Sequence, residues 1–106
     1  LHALAREIVA SGGKPPIVIS CDLAKPDAGD IIAAALTAAG VALDTLVHNA
    51  GFGLFGRAIQ LRRAEQLEMI SVNISALTDL SLRCADSVIR HRGGLLNVES
   101  VAAFLP

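Results

Sequence analysis

Apolar residues at the start of the chain recur at the spacing of an amphipathic helix. Leu1, Leu4, Ala5 and Ile8 lie three or four positions apart, and Gly12 follows them as a stop signal. The spacing predicts a helix over residues 1–8 that ends before this glycine.

The next apolar segment has the pattern of a strand. Pro15 and Pro16 forbid further helix, and residues 17–19 then form a continuous run of β-branched side chains. A short run without alternation is typical of a parallel strand that is buried on both faces. Residues 17–19 are therefore predicted to be the first strand.

A second helix and a second strand follow in the same order. Residues 31–39 are rich in alanine, Asp27 or Asp30 could cap their start, and Gly40 ends them. Residues 44–48 then read as a strand that leads into Asn49. The pattern predicts one further helix and strand pair at this point.

The longest helical pattern runs from residue 61 to residue 90. Two apolar stripes follow it at spacings of three and four, one starting at Leu67 and the other at Met69. A helix that is apolar on two sides is buried on two sides. Gly93 and Gly94 end the pattern, and residues 95–98 are predicted to be the third strand.

Helices and strands therefore alternate along the whole chain. Such alternation indicates an α/β fold with a parallel sheet and right-handed crossovers. Three strands and an incomplete first helix make a small set for a complete domain. The chain is therefore expected to be a piece of one domain that is truncated at both ends.

Composition and charge exclude several classes of function. Nine Lys and Arg balance ten Asp and Glu, so the chain has no overall electrostatic reason to bind nucleic acid or an anionic membrane. No run of 18 apolar residues predicts a membrane span. Cys21 and Cys84 lie far apart without any ligand spacing, so we expect no metal site and two reduced thiols in a cytoplasmic protein.

Candidate chemistry lies where the predicted strands end. Ligands of open parallel sheets bind outside the carboxyl ends of the strands. Asp22 follows the first predicted strand, Asn49-Ala50-Gly51 follows the second, and Glu99-Ser100 follows the third. These three segments are the candidate binding site on position alone.

The same residues resemble the motifs of a known family. Asp22-Leu23 resembles an acidic position after a third strand, and residues 46–51 resemble an Asn-Asn-Ala-Gly motif. Val72-Asn73 resembles a motif asparagine on a helix, and residues 96–102 resemble a strand with a catalytic serine. Four matches in order, each on the expected element, are similar to the short-chain dehydrogenases/reductases. This resemblance implies a doubly wound Rossmann fold, with residues 1–106 as the central part of one NAD(P)-binding domain.

The resemblance implies a binding role for five residues. In the family, the acidic side chain at the position of Asp22 accepts a hydrogen bond from adenine, and Leu23 follows it. Asn49, Ala50 and Gly51 stand at the motif that packs the adenosine part of the cofactor. The implied cofactor is NADP or NAD, with NADP placed first.

The resemblance also implies two catalytic residues. Ser100 would donate a hydrogen bond to the substrate oxygen, and Asn73 would hold a water molecule in the proton relay. The family's Tyr-x-x-x-Lys pair is expected beyond Pro106, since the chain contains no tyrosine. Residues 1–106 alone are therefore predicted to be inactive.

Two residues depart from the family's pattern. His48 stands where a first asparagine is usual, although imidazole can also donate and accept hydrogen bonds. Glu99 stands where a small residue usually precedes the serine. A carboxylate there would be desolvated unless it were paired or pointed towards solvent.

Several side chains leave two interpretations open. Phe52 and Phe55 could line a substrate pocket or only fix their loop. Arg57, Arg62 and Arg63 could contact a phosphate, but a solvated surface is the simpler interpretation.

The implied function of the whole protein is hydride transfer between NAD(P)(H) and a carbonyl or alcohol substrate. The helix over residues 61–90 resembles the family's subunit interface, which implies a homodimer or homotetramer. The alternative is a non-catalytic dinucleotide-binding sensor on the same fold, because fold does not determine function. An unrelated flavodoxin-like domain would require the four matches to be coincidental.

Overall fold

The computed structural model describes residues 1–101. Ala102, the last residue of the serine motif, lies outside this range. The helices and strands are α1 (His2–Ala10), α2 (Ala28–Ala38), β1 (Thr45–His48), α3 (Arg63–Ile70), α4 (Leu77–Arg90) and β2 (Gly94–Asn97). A 3₁₀ turn (Ala58–Gln60) precedes α3, and a π-helical segment (Ser71–Ala76) joins α3 to α4.

The two strands pair with each other in parallel, and the long helix packs against them. Thr45 pairs with Gly94 and His48 with Asn97, so both strands end at the same edge of the sheet. Helix α4 is the last part of the segment that connects them, and it packs against both strands, as expected for a βαβ unit. The predicted alternation of elements is confirmed for this unit, which positions the candidate site.

The prediction of a strand at residues 17–19 is wrong for this structure. Among residues 1–101 the sheet has two strands, β1 and β2, and no backbone hydrogen bond joins residues 17–19 to either of them. In the classic Rossmann order 3-2-1-4-5-6, the third strand pairs with the second and not with the fourth. With residues 17–19 as the third strand and β1 as the fourth, the pairing partner of residues 17–19 would be the second strand. Neither β1 nor β2 is that strand, so neither supplies the ladder hydrogen bonds.

The predicted long helix is continuous from Arg63 to Arg90, since the residues at both junctions with the π segment have right-handed helical backbone. Its first stripe is uneven: Leu67, Ile70 and Ile74 are exposed, whereas Val88 is buried. The second stripe, which starts at Met69, is half-buried throughout. Burial on two sides therefore holds only for the carboxyl-terminal half of the helix.

Helices α2 and α4 are joined by a small ionic network. The Arg83 guanidinium donates to Asp79 Oδ2 on its own helix and to Asp30 Oδ1 on α2, both at 2.7 Å. These two hydrogen bonds raise the pKa of Arg83. Asp30 therefore pairs across the helices, and Asp27, at the N-terminus of α2, makes no side-chain capping hydrogen bond.

Helices α1, α2 and α4 end with the same pattern of backbone hydrogen bonds, but the residue with positive φ is not glycine in all three. Gly12 and Gly40 have positive φ angles after α1 and α2, as the left-handed position of a Schellman motif requires. After α4 this position is taken by Arg92, with φ of 53°, and the Gly93 N–H donates to Val88 O at 2.9 Å. The glycine pair predicted to end the helix comes one residue after the position that favours glycine.

Replacing Arg92 by glycine is expected to stabilise the protein. A non-glycine residue in left-handed backbone destabilises the folded state by roughly 1–2 kcal/mol. Glycine removes this strain, but it also raises the conformational entropy of the unfolded chain, which offsets part of the gain. We expect Arg92→Gly to raise the free energy of unfolding of the full-length protein by about 1 kcal/mol in urea denaturation. Arg90→Gly, within right-handed α4, should lower it by a similar amount. Equal losses in both variants would contradict the prediction.

Candidate active site at the carboxyl ends of the strands

The segments that follow β1 and β2 line one cleft of about 680 Å³. A cleft of this size lies within the range of small-molecule sites, roughly 300–1,000 Å³. Its walls bring together five of the seven residues proposed from the sequence. These are Asn49, Ala50, Gly51, Asn73 and Ser100.

Asn73 holds the loop after β1 through its side-chain amide. Its Oδ1 accepts a hydrogen bond from the Phe52 N–H at 3.1 Å, and its Nδ2 donates to Phe52 O at 2.8 Å. The residue lies inside the π-helical segment, and such segments occur frequently at functional sites. The paired hydrogen bonds fix the loop against the helix and thereby shape one wall of the cleft.

Gly51 lies close to this amide. A Cβ atom added at Gly51 would lie 3.1 Å from Asn73 Oδ1, which is tighter than ordinary van der Waals contact. At Gly53, by contrast, an added Cβ would meet nothing within 4 Å. The loop is therefore packed at Gly51 and open at Gly53, where a ligand could approach the backbone.

Removing the Asn73 amide is expected to loosen this wall. Asn73→Ala deletes both hydrogen bonds to Phe52, but water can satisfy the exposed backbone groups. We therefore expect the free energy of unfolding of the full-length protein to fall by about 1 kcal/mol. The matched control is Asn97→Ala, at an exposed position of β2 outside the cleft. Equal losses in the two variants in urea denaturation would contradict a special role for Asn73.

His48, the residue that departs from the family's first asparagine, is hydrogen-bonded to the long helix. Its Nε2 lies 2.9 Å from Ser81 Oγ on α4, and the side chain is half-buried. This contact ties the end of β1 to α4 directly before Asn49. The imidazole therefore fixes the strand end through the hydrogen bonding expected of that ring.

Asp22 and Leu23 do not line the same cleft. The Asp22 carboxylate is exposed and accepts a hydrogen bond from the Ala24 N–H at 3.0 Å, which is a local turn. Leu23 lines a separate cleft of about 290 Å³ together with Lys25 and Gly29. The structure therefore keeps these two residues apart from the other five.

The cleft contains side chains that sequence reasoning left out or left open. Met69 lines it one helical turn before Asn73, and this i, i+4 spacing could have indicated the shared face. Phe52 and Phe55 also line it, in agreement with the pocket interpretation. Arg62 pairs with Glu65 at 2.8 Å on an exposed surface, as the solvated interpretation of the basic cluster expects.

Glu99 gives the cleft its charge. The residue is exposed, and among the described residues that line the cleft it is the only charged one. Of the alternatives given for this carboxylate, the structure shows contact with solvent.

Within residues 1–101, no three His, Cys, Asp or Glu side chains are grouped so that they could hold a metal ion. No helix in that range has the length and apolar character needed to cross a membrane.

Known proteins resemble this chain along its whole length. The family model described as enoyl-(acyl carrier protein) reductase matches residues 1–105. The serine 3-dehydrogenase of Agrobacterium fabrum is 32% identical over 107 aligned residues, which cover all of this chain and 41% of that protein. This chain thus spans well under half the length of its curated relative.

Solved structures agree with the fold. A metagenomic short-chain oxidoreductase in complex with NADP is 36% identical, with a TM-score of 0.82 over 99% of this chain and 48% of that one. The L-sorbose reductase of Gluconobacter frateurii has a TM-score of 0.87 over the whole of this chain and 41% of its own, at 22% identity. The second likeness concerns the fold alone. The family match over residues 1–105, together with the 36% identical oxidoreductase, shows that the chain belongs to the short-chain dehydrogenase/reductase family.

Proposed function

We propose that the protein containing this chain is an NAD(P)-dependent oxidoreductase that transfers hydride between the cofactor and a carbonyl or alcohol substrate. One observation carries the proposal: Asn49-Ala50-Gly51, Asn73 and Ser100 line a single cleft at the carboxyl ends of two adjacent parallel strands. This edge of an open α/β sheet is where dinucleotides bind.

The residues present fit a nicotinamide dinucleotide. The Asn49–Gly51 backbone follows β1 directly, and the open face of Gly53 leaves room for a ligand. We propose that Asn49, Ala50 and Gly51 pack against the adenosine side of the cofactor. We propose that Asp22 and Leu23 also bind the adenosine end of the cofactor. They would contact adenine from the loop that precedes α2. When bound, the cofactor supplies the hydride.

Ser100 and Asn73 are the proposed catalytic residues of this chain. The Ser100 hydroxyl would donate a hydrogen bond to the substrate oxygen and fix its position while charge changes on it. Asn73, whose side chain is engaged with Phe52, would hold a water molecule through its backbone carbonyl. A Tyr-x-x-x-Lys pair elsewhere in the whole protein would exchange the proton, so residues 1–106 alone would be inactive.

Two features support the remaining parts of the proposal. The 36% identical oxidoreductase was solved with NADP, which favours NADP over NAD here. Cys21 and Cys84 are free, and burial raises the pKa of the Cys84 thiol, so it stays protonated and weakly reactive, as suits a reducing cytoplasm.

We further propose that residues 1–106 form the central part of one Rossmann domain and that the whole protein is a homodimer or homotetramer. Leu82 and Ile89 lie seven positions apart on α4, and both side chains are 74% exposed. An apolar stripe of this kind suits a second copy of the helix.

The proposal is tested by following reduced nicotinamide absorbance with the full-length protein and a panel of ketones and aldehydes. We expect oxidation of NADPH, and slower oxidation of NADH, with at least one class of carbonyl compound. Tight binding of NADPH without turnover of any carbonyl or alcohol would instead support a dinucleotide sensor. A folded protein that binds neither cofactor would overturn the proposal.

A further inference from the structure

The charge of the cleft points to a class of substrate. Glu99 precedes Ser100 in the chain, and both line the cleft. No other charged side chain of the described residues lines it. Lys25 lines the smaller cleft, and Arg62 pairs with Glu65. Among the described residues, this part of the site therefore presents one carboxylate beside the proposed substrate-binding hydroxyl.

We propose that Glu99 makes the site selective for carbonyl or alcohol substrates that carry an ammonium group near the reacting carbon. This inference rests on the proposed function, which places the substrate oxygen at Ser100. A carboxylate one residue away attracts a cationic group and repels an anionic one. Selectivity then arises from both the attraction and the repulsion.

The apolar side of the cleft fits the same class of substrate. Phe52 is 40% exposed and Phe55 is 94% exposed, and Met69 lines the same cleft. Aromatic faces attract ammonium groups through their quadrupole, and exposed aromatic side chains at a cleft mark a binding surface. A substrate with an apolar part and an ammonium group could use both sides of the cleft.

The test compares three alcohols or ketones of the same carbon skeleton, which carry an ammonium, a neutral or a carboxylate group. kcat/KM is measured for the full-length protein and for Glu99→Gln, which removes the charge and keeps the shape. The matched control is Glu7→Gln, an exposed residue of α1 outside the cleft. An exposed charge pair of this kind corresponds to about a fivefold change in kcat/KM.

We expect Glu99→Gln to lower the ratio of ammonium to neutral kcat/KM by about fivefold and to raise the ratio of carboxylate to neutral by a similar factor. Glu7→Gln should leave both ratios unchanged, and added salt should reduce the selectivity of the unsubstituted protein. Ratios that stay the same in Glu99→Gln, even if all three rates fall together, would overturn the inference and leave the oxidoreductase function intact. Failure of the unsubstituted protein to oxidise or reduce any of the three would instead count against the proposed function.

Discussion

Replacing Ser100 with alanine is expected to lower kcat of the full-length protein by about 10²–10³-fold, the usual loss when one preorganised donor to a reacting oxygen is removed. The reason is that the Ser100 hydroxyl would act on charge that develops during the reaction. The binding energy of the cofactor, which uses other residues, would change little. Transient and steady-state kinetics of NADPH oxidation, together with calorimetric titration of the cofactor, separate the two effects.

The control for this experiment is Ser75→Ala. Ser75 lies in the same π-helical segment as Asn73 but lines the smaller cleft. Its replacement should leave kcat within a factor of about two, since no interaction made only in the transition state is lost. A loss in Ser100→Ala that appears wholly as weaker cofactor binding, with kcat preserved, would contradict the catalytic role of the hydroxyl.

Replacing Gly93 with alanine is expected to cause the largest loss of stability. The added methyl group would collide with the backbone carbonyl of Asp44, whose Cα lies only 3.2 Å from the position of the new Cβ. The Gly94 N–H donates to the same carbonyl oxygen at 3.2 Å, so the contact between β2 and the residue that precedes β1 would have to open. A backbone atom cannot move away as a flexible side chain can, and we expect a loss of about 3 kcal/mol or more.

Gly94→Ala is the matched control for Gly93→Ala. The next glycine has nothing within 4 Å of an added Cβ, and its amide hydrogen bond does not depend on its lack of a side chain. Urea denaturation of the full-length variants should therefore show a large loss for Gly93→Ala and a change of less than about 1 kcal/mol for Gly94→Ala. Similar losses in both variants would mean that the close approach to Asp44 does not limit the packing of the strands.

The sequence predicted the edge of the sheet where the candidate site lies because parallel strands end together. Residues 44–48 and 95–98 read as strands from their apolar runs. Asn49 comes directly after the first run, and Ser100 comes two residues after the second. Their placement in one cleft follows from the parallel pairing of β1 with β2. Asn73 joined them through the family resemblance, since helical periodicity alone does not reveal which face meets a loop.

Other features could not be predicted from the local sequence. No residue pattern specifies a π-helical segment, because it arises from packing of the helix against its surroundings. The left-handed backbone of Arg92 does not follow from the sequence, since the two glycines directly after it are the residues that usually end a helix. Gly93 is instead required by its approach to Asp44, a contact between residues far apart in the chain. Residues 17–19 likewise lack ladder hydrogen bonds because no partner strand among residues 1–101 lies beside them, and the order of strands in a sheet cannot be read from the local sequence.

A crystal structure of the full-length protein with bound NADP⁺ would test the central claim most directly. The proposed function predicts that the cofactor occupies the cleft lined by Asn49-Ala50-Gly51, Asn73 and Ser100, with its nicotinamide end towards Ser100. A cofactor bound at another face of the protein, with this cleft empty at saturating concentration, would contradict the assignment of these residues.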